Sequence, residues 1–224
     1  MLKVSILSAV GVFVFGWAGA VVASSIDGYV PPDNGRQQTT ESAGSRGCPE
    51  KLPKLAIAAP KNHLGRTIES HPSFFFWVSD IPDRPIRVSL TDVEAENSTW
   101  TTEIVVRTPG LVKVTMPESA KGLQSQRTYA LAAVVPCGER PSQGESVRIL
   151  LERIEPSLAL RQQLDAVGGA EKAKILAQQG IWYDALTVSF EHNRPFFESL
   201  LRQIEFAFLN RDVACVIASG SVKC

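Results

Sequence analysis

The residues of this chain whose types could do chemistry are three histidines, four cysteines and one dense run of carboxylates. A general base or a metal ligand needs a partner at a telling spacing, and His63, His71 and His192 have none in sequence. His63 falls in a loop, His71 precedes Pro72 at the start of a strand, and His192 ends a helix, where the dipole and terminal carbonyls account for it. There is no phosphate-cradling loop, G-x-S-x-G elbow or H-E-x-x-H helix. We therefore assign no catalytic residue, metal or cofactor. One alternative is a hydrolase using His71 or His63 with a carboxylate assembled from a distant segment.

The carboxylate run is Asp92-Val93-Glu94-Ala95-Glu96, and counting from Asp92 puts Glu103 at the twelfth position of a calcium-type loop. The match breaks at position six, where Asn97 replaces glycine, and the flanks read as strands instead of helices. A solvated hairpin tip is the preferred reading. Asn97-Ser98-Thr99 fits a glycosylation acceptor in form and is read as an ordinary turn.

Cys48, Cys137, Cys215 and Cys224 are widely spaced, with no C-x-x-C pair for redox or zinc chemistry. In an oxidising compartment an even number reads as disulfides, and four cysteines allow three connectivities. The favoured pairing joins Cys48 to Cys137 and Cys215 to Cys224. Cys48 stands where a flexible arm meets the folded part and Cys137 follows a strand, so that bridge would pin the arm. Buried free thiols are the alternative.

The binding candidates are aromatic. In the strand Phe74 to Val78, Phe74, Phe76 and Val78 point to one side and Phe75 and Trp77 to the other, so both sides are apolar. The outer pair must be covered, either by a helical segment through Trp182 and Tyr183 or by another protein or a glycan. Phe75, Trp77, Trp182 and Tyr183 are accordingly the binding residues proposed from sequence, and a carbohydrate-binding module is a second alternative.

The elements that would position these residues begin with a leader. Residues 1–23 carry Lys3 and then an uncharged run from Val4 to Ala23 ending in small residues, a signal peptide cleaved after about Ala20 or Ala23. An uncleaved anchor is the competing reading. The expected location is the periplasm or the medium, with no membrane contact after cleavage. The chain has 23 basic and 23 acidic residues; without Lys3 these become 22 and 23, a net charge of −1. A near-neutral body without a basic cluster lacks the footprint of a nucleic-acid binder.

Residues 24–47 are poor in apolar side chains and read as a disordered linker. Residues 48–155 show period two, with Ile86, Val88 and Leu90 on one face, then Trp100, Thr102, Ile104 and Val106, then Val112, Val114 and Met116. Tyr129 to Val135 and Val147 to Leu151 continue it, with turns at Pro82-Asp83, Pro109-Gly110 and Cys137-Gly138. About six or seven short strands of this kind predict an antiparallel, immunoglobulin-like β-sandwich. Residues 156–210 turn helical in four short segments broken at Gly168-Gly169, Gly180 and Asn193, with Pro195 opening the last. Around Gly180 the second and third resemble the middle of a tetratricopeptide repeat, a unit that cannot bury its own face alone. Residues 211–224 form a tail. The fold class is α+β.

Several colinear pieces carry a resemblance: Ser45-Arg46-Gly47-Cys48-Pro49, Thr67 through Val78, Pro109 through Val114, Tyr129 with Cys137, and most distinctively Gly180-Ile181-Trp182-Tyr183-Asp184-Ala185-Leu186-Thr187. In these the chain resembles the DUF928 family, uncharacterised exported proteins that are mostly cyanobacterial. Ala130 departs from a commonly bulky position, and the tail with Cys215 and Cys224 has no counterpart. The resemblance implies export and a two-part architecture and implies no reaction. The reading that results is a non-enzymatic binding or assembly module of the cell envelope, with an envelope protein as its expected partner.

Overall fold

In the order they occur, the strands are β1 Thr39–Thr40, β2 Leu55–Ile57, β3 Gly65–Thr67, β4 Ser73–Val78, β5 Ile86–Asp92, β6 Asn97–Ile104, β7 Gly110–Thr115, β8 Arg127–Pro136 and β9 Gly144–Arg153. Four helices follow, α1 Leu158–Asp165, α2 Gly169–Gln178, α3 Trp182–His192 and α4 Arg194–Gln203, and then β10 Val216–Ala218 and β11 Ser221–Lys223. The computed structural model describes residues 28–32, 39–40, 48, 52–138, 143–206, 216–218 and 221–223. The expected leader and the expected Cys215–Cys224 bridge lie outside the described residues.

The period-two segments form two sheets. One runs β1-β9-β8-β5-β6, with β3 beside β9, and the other β11-β10-β7-β4-β2. Most pairs are antiparallel, but β3 with β9 and β10 with β7 run parallel. Alternation sets the inner faces: Val88, Leu90, Leu131, Ala133, Ile149 and Leu151 from the first sheet share one apolar core with Phe74, Phe76, Val112 and Val114 from the second. The β-sandwich inside an α+β chain is therefore present. Cys48 and Cys137 are joined, closing a span of 89 residues across the end of β8.

The helices follow their start and stop signals. Ser157 caps α1 by accepting from Leu160 N–H at 3.2 Å, and Asn193 caps α4 by accepting from Phe196 N–H at 3.2 Å with Pro195 in the first turn. Gly180 turns α2 into α3 at φ +71°, and a Cβ there would lie 3.2 Å from the Val30 carbonyl oxygen. No helix among the described residues is long and apolar enough to cross a membrane.

Two expectations change. Part of the linker expected to be disordered, Gly28–Pro32, is docked on the helices: Tyr29 is 3% exposed and Val30 N–H donates to Ala177 O at 3.0 Å. The Gln203 amide supplies the rest, accepting from Tyr29 N–H at 2.8 Å and donating to its carbonyl at 2.5 Å. Average composition missed this because one inserted aromatic with its backbone satisfied is enough to fix a short strap. Within the expected tail, the backbone of β10 and β11 extends the second sheet beside β7.

Candidate functional site

Both sides of β4 are covered by the protein itself. Phe75 packs on Phe190 and Phe197, ring centroids 5.2 Å apart in each case, and Arg194 lies over both helical rings. The cover thus comes from the end of α3 and from α4, whereas Trp182 and Tyr183 do other work. Trp182 donates from its indole to Ala58 O at 2.9 Å and meets Tyr29 edge-on. Tyr183 meets Phe74 edge-on and lies against β3 at Gly65, where a Cβ would come within 2.7 Å of its ring. Phe75, Trp77, Trp182 and Tyr183 are all buried, so none offers a flat face to a sugar, and the carbohydrate alternative loses the residues it rested on. The Tyr183 hydroxyl is buried with no hydrogen-bond partner, and burial raises its pKa.

The next residue, Asp184, makes the site. It stands in the first turn of α3, is 5% exposed, and reaches across to the connection after β3. Thr67 Oγ1 donates to Oδ1 and Ile68 N–H donates to Oδ2, each at 3.1 Å. Burial disfavours the charged form and the nearby Glu69 carboxylate adds repulsion; these outweigh the hydrogen bonds from Thr67, Ile68 and its own backbone N–H and push Asp184 up to about 7. A carboxyl poised near neutrality inside a protein seam is a feature that marks functional sites.

Around it the sandwich and helices leave a cleft of about 410 Å³. The β3–β4 connection contributes Ile68, Glu69, His71 and Pro72, and α1 contributes Arg161, Leu164 and Asp165. Lys172 and Leu176 come from α2, and Thr187 and Val188 from α3. The size suits a side chain or small ligand, and the mix of apolar wall with a few converging polar groups is that of a binding site.

His71 is in the cleft but is not set up as a base. Its Nε2 donates to the Ala120 carbonyl at 3.0 Å and its Nδ1 faces the Ser70 hydroxyl at 3.0 Å, so both nitrogens are engaged and neither meets a carboxylate. His63 lies elsewhere, stacked on Tyr29 with Nε2 2.7 Å from the Tyr29 hydroxyl; burial and the charge of Arg66 lower its pKa. This pair borders a separate hollow of about 430 Å³ with Gln203 and Pro60. Asp92 ties its own turn, accepting at 3.0 Å from Glu94 N–H and Ala95 N–H, and from Arg127, which fits a hairpin tip. Among the described residues no group of three or more His, Cys, Asp or Glu could hold a metal ion.

Sequence reasoning quoted Asp184 inside its most specific motif without giving it a role. The signal was there: one carboxylate residue amid Ile181, Trp182, Tyr183, Ala185 and Leu186, a stretch of bulky and apolar neighbours.

No curated protein matches the chain. A crystal structure of a DUF3244-family protein with an immunoglobulin-like β-sandwich fold, from Bacteroides vulgatus, is similar over 51% of this chain and 95% of that one, at 10% identity and a TM-score of 0.30. The family model described as Domain of Unknown Function (DUF928) matches residues 41–205, which take in β2 through β9, all four helices and every residue lining the cleft, and the chain belongs to that family.

Proposed function

We propose that this chain is an exported, non-enzymatic binding module of the cell envelope whose ligand sits in the cleft between sandwich and helices. The observation that carries the reading is Asp184, a carboxyl group held inside a cleft that three helices and the β3–β4 connection build together. Burying such a group is costly, and the cost is offset where the group meets a ligand. The engaged nitrogens of His71 favour binding over hydrolysis at the same place. The Cys48–Cys137 bridge fits an oxidising compartment outside the cytoplasm. The α2–α3 hairpin with its Gly180 turn fits a tetratricopeptide-like unit, a kind used for protein contacts, here seated on the sandwich.

Site-directed photo-crosslinking in cells tests the site. With the photoreactive side chain at Thr187, inside the cleft, a discrete adduct is expected, and none with it at the exposed Val105. Absence of an adduct at Thr187, or the same adducts at both positions, overturns the cleft as the site. Export is tested separately by the mass of the envelope form: loss of the leader after Ala20 or Ala23 is expected, and intact chain dissolved in the cytosol contradicts it.

A further inference from the structure

The charges of the cleft do not balance. Its lining holds three acidic side chains, Glu69, Asp165 and the partly protonated Asp184, against Arg161 and Lys172. Arg161 is already paired with Glu155, outside the lining, which leaves Lys172 facing the three acids. The acids come from separate elements, the β3–β4 connection, α1 and α3, so the excess belongs to the cavity and not to one acidic run. Asp184 receives hydrogen bonds from Thr67 Oγ1, Ile68 N–H and its own backbone N–H, and a carboxylate offers about four acceptor positions, so acceptor capacity remains at the floor of the cleft. Leu164, Leu176 and Val188 give an apolar wall beside it, of the kind along which the methylene stem of a long basic side chain lies.

Resting on the reading of the cleft as the ligand site, we propose that it recognises a basic side chain, Lys or Arg, presented by an exposed segment of a protein partner, with the cationic head against Asp184 and Glu69 and the stem along the Leu164–Leu176–Val188 wall. A cation at the floor favours ionised Asp184, so binding expels a proton at neutral pH. The titratable and charged groups that line the cleft with Asp184 are Glu69 and His71 from the β3–β4 connection, Asp165 and Arg161 from α1, and Lys172 from α2. With Asp184 at about 7, affinity rises about tenfold between pH 6 and pH 8.

The test uses the full chain, isotope-labelled, titrated with capped tripeptides Gly-X-Gly in which X is lysine, arginine, norleucine or glutamate, reading amide shifts at Glu69, Thr187 and Val188. Saturable shifts with lysine or arginine, at least about tenfold weaker with norleucine and absent with glutamate, are expected. Glu69→Gln, at an exposed position, weakens binding by about threefold without disturbing the fold, and Asp184→Asn removes the pH dependence. Equal binding of lysine and norleucine peptides, preference for glutamate, or no saturation with any of them overturns the basic-side-chain proposal. A Thr187 adduct alongside such a result leaves the cleft as the site and condemns only the ligand class.

Discussion

At one end of α3 the helices meet the sheet through Phe190, Phe197 and Phe75, and at the other end through Asp184, Thr67 and Ile68. The first contact is built from packed aromatic rings. Even its one buried cation, Lys113 on β7, is paired with Glu191 at 2.5 Å and lies near the Phe190 ring. The second is polar, sits beside an open cleft and holds a group that titrates near neutrality. Apolar packing is non-directional and supplies adhesion, whereas two hydrogen bonds to one carboxylate fix orientation and leave room beside them. The same interface therefore does two jobs with two chemistries.

Removing the apolar anchor is the harshest way to test that division. Phe197 is 0% exposed, so Phe197→Ala leaves a large cavity and is expected to cost about 3–5 kcal/mol in urea unfolding, at pH 5 and pH 8 alike. A loss below about 1 kcal/mol would show that the aromatic patch is not what holds the helices on.

The polar end is tested by pH. The folded-state pKa of Asp184 is raised to about 7, so between about pH 4 and pH 7 the native state holds a proton that the unfolded chain has released. This contribution to stability is complete at the acid end of that window and is lost as pH rises through about 7, by at most about 4 kcal/mol. Asp184→Asn, which stays neutral, is expected to flatten that part of the stability profile. An unchanged slope in the variant would assign the pH dependence to other groups.

Gly65 sharpens the comparison near the polar end. Gly65→Ala drives a methyl to 2.7 Å from the Tyr183 ring and should cost about 1–3 kcal/mol, with the near-ultraviolet tyrosine signal altered. Wild-type stability in this variant would mean that the ring yields freely. Smallest is the strap: Tyr29→Phe keeps the ring against Trp182 and deletes the hydroxyl that meets His63, with an expected loss of about 1 kcal/mol. A threefold larger loss would make the strap a part of the core anchor.

The strands were legible wherever one face is wet. Ile86, Val88 and Leu90 alternate with half-buried Arg87 and Ser89, and the period alone gives their face. On β7 the same alternation misleads, because Lys113 reads as a solvent position and is 8% exposed beneath α3. The breaks between the helices were marked by the Gly168-Gly169 pair, Gly180 and Asn193-Pro195, each a local backbone requirement, whereas the cap of the first helix, Ser157, was identified only in the structure. The cover on β4 was deducible from apolarity on both sides, but its identity was not: Phe190 and Phe197 lie well over a hundred residues along the chain from Phe75, and nothing local joins them. The cleft was less legible still. Glu69, Asp165 and Asp184 have no common spacing, and only the docking of three helices on the β3–β4 connection brings them to one cavity.

By itself the sequence determined what depends on neighbours along the chain: the periods, the caps, the turns and the change from sheet to helix at Pro156. Only the tertiary structure decided which apolar faces meet, that Tyr29 folds back on Trp182, and that a lone aspartate faces a cleft instead of water. The reason is physical. Hydrogen-bonded turns and side-chain periodicity act over a few residues, whereas burial, and with it the state of a carboxyl group, is set by whatever distant segments pack around it.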